Sequence, residues 1–353
     1  MSARRKAIET ACAPRNPLPP RTTVASLSAA PTLRGFCAIG APRGRILPMP
    51  PEAASTQAPP RESAYRRALV IANPVSGRRQ GESAGKELSA GLQRLGIPTE
   101  LFLTGCAGDG ERRARALTDE TDLVVSVGGD GTLGEVLTGL FGRKVDVGVL
   151  PLGTGNALSA DLKLPRDVDR ALAVFTAGKT VDVDVARVNG RLSFLVVGVG
   201  PDAAVVEEVH RNRRGPMTQW AYLPATLRTM LRHRPVKLSV ELDGEPLEGT
   251  FGQVLVSNTI HYGGLVPLCP GRVLDDGRFE VFLFRRGNLL GLINYALKAF
   301  LRRIPDKTSE VRLARTVRIT SPKPAPCQID GDPAGRTPVV FEVLDTRHRI
   351  LVP

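Results

Sequence analysis

The chain has no uninterrupted apolar run of 18 residues, so nothing in it reads as a helix that spans a bilayer. The nearest approach, 288–301, is shorter and is broken by Asn294 and Lys298. Cysteine is sparse and scattered. Cys12, Cys37, Cys106, Cys269 and Cys327 form no CxxC pair and no Cys/His cluster, which argues against a zinc site or a disulfide scaffold and for a reducing compartment. The four histidines (His210, His233, His261, His348) lack ligand spacing, which removes a metal centre built on His or Cys. Acid is also short: 35 Asp+Glu stand against 48 Lys+Arg, a formal net charge of +13.

What remains is ordinary for a folded protein. Hydrophobic residues make up 42% and charged residues 24%, which excludes collagen, coiled coil and a wholly disordered chain. At about 150 residues per domain, 353 residues suggest two domains. Residues 1–64 hold nine basic and three acidic side chains, are rich in Pro, Ala, Ser and Thr, and show no apolar periodicity. They read as a disordered basic extension. Their composition also resembles a transit peptide, and Met49 is an alternative start.

A second basic stretch has no acid between Glu208 and Glu241. It interleaves Arg211, Arg213, Arg214, Arg228, Arg232, Arg234 and Lys237 with Trp220, Tyr222, Leu227 and Met230. An anionic membrane surface, nucleic acid and a solvated helix face are the three readings of such a pattern.

From Ala68 onward, short apolar runs alternate with helical patterns. Ala68–Ala72 ends at the turn formers Asn73, Pro74, Val75, Ser76 and Gly77. Leu88, Leu92 and Leu95 share a helix face closed by Gly96. Strands at 99–103, 122–127 and 145–150 and helices at 110–117 and 157–162 complete the pattern. It predicts an α/β domain with a parallel sheet, whose ligands bind beyond the carboxyl ends of the strands.

Two loops after strands stand out. Gly128-Gly129-Asp130-Gly131-Thr132 precedes a helix, and so does Leu152-Gly153-Thr154-Gly155-Asn156. Glycines let a phosphate approach the backbone, and a helix N-terminus favours an anion. Asp130 breaks the pattern of a passive anion cradle. A carboxylate among phosphates needs a bridging cation or a proton to accept, which points to phosphoryl transfer; a capped tight turn is the alternative. Gly178-Lys179-Thr180 and Gly198-Val199-Gly200 mimic nucleotide motifs in the wrong context.

Together with Asp275-Asp276-Gly277 and Asp330-Gly331-Asp332, these segments resemble, in order over residues 66–353, the catalytic domain of the diacylglycerol kinase-like lipid kinases. That family includes bacterial diacylglycerol and YegS-like lipid kinases and the sphingosine and ceramide kinases. Beyond the extension 1–64, which is read from composition alone, the resemblance implies an α/β ATP-binding domain over 65–186 and a β-sandwich substrate domain over 187–353. A return of the last strands to the first domain is an alternative within that arrangement. Strand-like runs at 181–188, 193–199, 237–242, 251–257, 279–284, 311–320 and 339–343 agree with it.

By resemblance, ATP is held by Asn73, Pro74, Val75, Ser76, Gly77, Thr104, Gly128, Gly129, Asp130, Gly131, Thr132, Leu133, Gly134, Glu135 and Thr154. Mg²⁺ is held by Asp276 with the carbonyls of Val273 and Arg278. The general base is Asp332, where bacterial members carry Glu, or Asp130, as in the sphingosine kinases. Asp202 faces the lipid head group or caps a helix. The implied activity is transfer of the ATP γ-phosphate to a hydroxyl of a membrane lipid. The implied location is cytoplasmic, with peripheral contact to anionic membrane through 211–237 and the amphipathic segment 288–303. For that last segment a core helix is the other reading. An NAD kinase-like phosphotransferase, a non-catalytic ATP-binding module and a nucleic-acid binder are the rival functions. Oligomeric state is open.

Overall fold

The computed structural model describes residues 65–212, 229, 235–262, 266–267, 273–301 and 304–353. The extension 1–64 and most of the basic stretch 211–237 lie outside the described residues.

Four parallel strands open the fold: β1 (Ala68–Ala72), β2 (Thr99–Leu103), β3 (Leu123–Gly128) and β4 (Asp146–Pro151), in the order β2-β1-β3-β4. Helices α1 (Gly81–Arg94), α2 (Asp109–Arg115), α3 (Asp130–Gly139), α4 (Ala157–Asp161) and α5 (Val168–Ala177) connect and cover them. The unbroken apolar run of β1 follows from burial on both faces. Leu69 and Ile71 pack with Leu133, Val136 and Leu137 of α3. Ala68, Val70 and Ala72 pack with Leu88 and Leu92 of α1 and Phe175 of α5.

The rest is a sandwich of two sheets. β5 (Thr180–Val188) and β6 (Arg191–Ser193) lead into β7 (Val196–Val199) and helix α6 (Pro201–Arg211). Then come β8 (Ser239–Leu242), β9 (Glu245–Pro246), β10 (Gln253–Ser257), the short pair β11 (His261–Tyr262) and β12 (Val266–Pro267), β13 (Phe279–Phe284) and helix α7 (Leu289–Phe300). β14 (Ser309–Ala314), β15 (Thr316–Thr320), β16 (Pro326–Ile329), β17 (Asp332–Arg336) and β18 (Val339–Leu351) close the chain. The second sheet has the order β14-β13-β10-β7-β16-β17. Its inner residues Val197, Val254, Val281 and Leu283 meet Val240, Val317, Ile319 and Phe341 of the first. β18 runs parallel to β4 and antiparallel to β5 and β15, so the final strand continues the nucleotide-side sheet into the sandwich.

Two expected strands are broken, each by a carboxylate distant in sequence. The run 193–199 splits between β6 and β7 because Asp330 accepts hydrogen bonds from the backbone N–H of Phe194, Leu195 and Val196. The run 311–320 splits at Arg315, where Asp243 accepts from the N–H of Arg315 and Thr316. There the chain passes from the second sheet to the first. The β16–β17 hairpin was not foreseen, and β18 extends well past the expected 339–343. Cys327 is buried and free. No helix among the described residues is long and apolar enough to cross a membrane.

Candidate active site

The sheet order sets β2, β1, β3 and β4 side by side, so four carboxyl ends lie in one row. The predicted nucleotide residues sit along that row. Thr104 follows β2, and its N–H donates to the Ala72 carbonyl at 2.9 Å. Asn73 follows β1; its Oδ1 accepts from Val75 N–H at 3.2 Å, which makes the first turn, and its Nδ2 lies 3.4 Å from Thr132 Oγ1. Gly129 and Asp130 follow β3, and Leu152 to Thr154 follow β4.

The two glycine loops touch backbone to backbone. A Cβ added to Gly153 would lie 2.6 Å from Gly129 Cα, a distance real Cβ atoms do not adopt. Any side chain there would push the loops apart.

Asp130 joins them. It is the first residue of α3, and its Oδ2 accepts from Ala157 N–H at the start of α4, 3.2 Å away. Its Oδ1 is buried with no hydrogen-bond partner among the described residues. Burial pushes the Asp130 carboxyl above the usual carboxylate range, and nearby Asp330 and Asp161 push the same way against the backbone hydrogen bonds of Ala157 and Asn156. A half-buried carboxylate with one unsatisfied oxygen suits a group that accepts a proton or meets a cation.

Not every predicted nucleotide residue offers its side chain. Leu133 is core. Glu135 accepts from Gly108 N–H at 2.8 Å and Gly110 N–H at 3.0 Å, so its carboxylate closes the N-terminus of α2. Sequence reasoning missed Arg78 and Arg79. They follow Gly77 with φ of 58° and 72°, in the left-handed region that costs a non-glycine residue about 1 kcal/mol or more. Two exposed cations held there, beside the Asn73 turn, fit a phosphate-facing loop. The only hint was two arginines after a glycine.

The Asp330-Gly331-Asp332 turn connects β16 to β17. Asp330 is wholly buried and also accepts from Ser193 Oγ at 2.9 Å. It ties the turn to the β6–β7 break. Asp332, by contrast, has a side chain 62% exposed, and its Oδ1 lies 3.2 Å from His210 Nε2 at the end of α6. His210 Nδ1 lies 3.2 Å from the Val206 carbonyl, so both ring nitrogens face acceptors.

Asp202 is not a helix cap: Gly200 occupies that position, and Asp202 sits one residue into α6. Its carboxylate is buried and accepts from Gln328 Nε2 at 3.1 Å, and burial pushes it up to about 6. A Cβ on Gly198 would lie 2.0 Å from Asp202 Oδ2, so only glycine leaves room for that carboxylate.

The predicted metal residues lie in the turn before β13. Asp276 Oδ1 accepts from Arg278 N–H at 2.9 Å. Asp184, itself paired with Arg347 Nε at 2.7 Å, accepts from Gly277 N–H at 2.6 Å and anchors the turn. A carboxylate plus backbone carbonyls is an oxygen-only set, the donor chemistry Mg²⁺ prefers. Among the described residues no group of three or more His, Cys, Asp or Glu forms a cage, so water and phosphate would have to complete the shell.

Comparison with known proteins gives the same arrangement. Residues 67–188 match the family profile of the diacylglycerol kinase catalytic domain, and 195–352 match the YegS C-terminal NAD kinase beta sandwich-like domain. A diacylglycerol kinase of Bacillus subtilis (strain 168) is 30% identical over 296 residues, 82% of this chain and 97% of the relative. One of Staphylococcus carnosus is 28% identical over 292 residues, 82% and 95% of the two chains. A crystal structure of a diacylglycerol kinase from Bacillus anthracis superposes with a TM-score of 0.63 at 20% identity, covering 83% of this chain and 98% of that one; this likeness concerns the fold. Two lobes of the expected kinds, the ordered motifs and a relative matched over nearly its whole length have one meaning: the chain belongs to the diacylglycerol kinase family.

Proposed function

We propose that the protein transfers the γ-phosphate of ATP to a hydroxyl of a membrane lipid, with diacylglycerol the first acceptor to try. The name of the relatives supports the acceptor class. The observation that carries the chemistry is Asp130. Its unpartnered oxygen lies where two glycine loops meet, at the carboxyl ends of adjacent parallel strands.

In this reading the loops after β1, β3 and β4 receive the phosphates on backbone N–H groups. Asp130 takes the proton of the acceptor hydroxyl. The acceptor oxygen bonds to the γ-phosphorus as the bond to the bridging oxygen breaks, and ADP leaves. Asp332, steadied by His210, is the second candidate for the proton. Asp276 with the carbonyls of Val273 and Arg278 would hold Mg²⁺, which neutralises phosphate charge when bound.

The test is transfer of labelled γ-phosphate from Mg-ATP to a panel in mixed micelles: diacylglycerol, monoacylglycerol, sphingosine, ceramide and phosphatidylglycerol. NAD is added as a soluble acceptor, and Asp130→Ala runs alongside. Labelled lipid that disappears in Asp130→Ala is the expected result. Labelled NAD would replace the reading with a nucleotide kinase. ATP binding with no labelled acceptor would reduce the protein to a nucleotide-binding module.

A further inference from the structure

Four of the large apolar side chains left exposed among the described residues lie on one helix and the residue that follows it. Leu290, Ile293, Leu297 and Leu301 are 76%, 56%, 57% and 49% exposed. At 3.6 residues per turn they fall within roughly 80° of arc, a single stripe along α7 and its last turn. The opposite side of the helix is already used. Tyr295 is buried, its ring 4.5 Å from that of Phe284, and its hydroxyl donates to the Thr308 carbonyl. Phe282, Phe284 and Leu255 of the second sheet complete that contact. The exposed stripe is therefore not needed to hold the helix in place. An exposed apolar row of this length marks an interaction surface.

The segment that carries the stripe has charge of one sign in its sequence. No acid occurs between Glu280 and Asp306, while Arg285, Arg286, Lys298, Arg302 and Arg303 do. Lys298 pairs with Asp306 and Arg285 with Glu310. Arg286 is exposed at the N-terminal end of the helix, and Arg302 and Arg303 follow its C-terminal end in sequence. An exposed apolar stripe beside the exposed Arg286, in a sequence segment free of acid, matches the boundary between acyl chains and anionic headgroups.

We infer that the outer face of α7 is the surface by which the protein lies on an anionic bilayer. The four apolar side chains enter the acyl boundary, and the flanking cations meet the headgroups. The choice of a bilayer over a protein partner rests on the lipid-kinase reading above, because an acceptor dissolved in a membrane must be reached from its surface.

The experiment is co-sedimentation, without ATP or acceptor, with phosphatidylcholine vesicles that contain or lack phosphatidylglycerol. Wild-type protein is compared with a Leu290→Ser, Ile293→Ser, Leu297→Ser triple variant and with Arg286→Glu. Wild type should sediment with the anionic vesicles. The triple variant should lose about tenfold or more in partition, with an unchanged melting temperature and unchanged turnover of a short-chain, monomeric acceptor. Arg286→Glu should weaken binding to the anionic vesicles and leave any binding to neutral ones alone. Equal sedimentation of wild type and triple variant overturns the inference. So does a wild-type dimer that the triple variant abolishes while vesicle binding persists, since a second copy would then be what covers the stripe. A protein that binds vesicles through this face and phosphorylates nothing would refute the kinase reading and leave this one standing. Transfer to a short-chain acceptor with no vesicle binding would do the reverse.

Discussion

Asp130 and Asp332 are both candidates for the same proton, and the protein treats them in opposite ways. Asp130 is held by backbone close to it in space, from the loop that follows the neighbouring strand β4, and keeps one oxygen unsatisfied. Burial raises its affinity for a proton. Asp332 projects from a hairpin turn, is mostly exposed, and meets a histidine 122 positions earlier in the chain. One site is built from glycine backbone and desolvation. The other is built from side chains brought together by long-range packing. The difference teaches that the first is tolerant of little and the second is adjustable: a desolvated carboxylate has no substitute nearby, while an exposed one shares its environment with water.

The largest expected effect tests that contrast directly. Asp130→Asn should cost about a thousandfold or more in kcat, since proton acceptance and local charge are both lost. Asp332→Asn and His210→Ala should each cost about ten- to a hundredfold, and Asp332→Glu should match or exceed wild type. Kinetics in which Asp332→Asn is the more damaging would invert the comparison and make the hairpin turn the seat of the base.

A smaller effect, on stability, comes from the buried neighbour of Asp332. Asp330→Ala leaves three backbone N–H groups and the Ser193 hydroxyl without their acceptor. Chemical denaturation should show a loss of about 3–5 kcal/mol. A loss below about 1 kcal/mol would mean that water reaches the β6–β7 break, and that the acceptor side is less tightly built than described.

The smallest is a pH effect at Asp202. Its folded pKa, about 6, lies above the ordinary unfolded value near 3.8. The folded state therefore binds the proton more tightly, and Asp202 favours folding below about pH 4, an advantage lost as pH rises through about 6. Two units correspond to roughly 3 kcal/mol at most. Asp202→Asn should flatten stability between pH 4 and 7 relative to wild type, read as melting temperature against pH. Parallel curves for the two proteins would show that Asp202 is hydrated, and would bring it back as an accessible contact for an acceptor head group.

Much of the nucleotide side was legible because its parts are contiguous. An apolar run, a glycine cluster and a helix pattern each lie within a few residues, and the parallel order of the strands brings the clusters into one row without further information. The acceptor side was legible only as motifs. Asp330-Gly331-Asp332 was singled out, yet nothing near it told that Asp330 would be consumed by accepting from backbone N–H groups 134 to 136 residues away while Asp332 stayed exposed. Glu135 entered the nucleotide set by resemblance; nothing in the sequence told that its carboxylate would accept from the N–H groups of Gly108 and Gly110.

The amino-acid order by itself determined the alternation of strand and helix, the glycine loops at strand ends and the apolar character of α7 with basic residues flanking it in sequence. These depend on local backbone preference and on apolar periodicity, which neighbouring residues set. Only the tertiary structure decided which carboxylate is buried, which strands break and which face of α7 stays uncovered. A carboxylate's role depends on which N–H groups and which water it meets, and chain segments more than a hundred residues apart supply those only once packed.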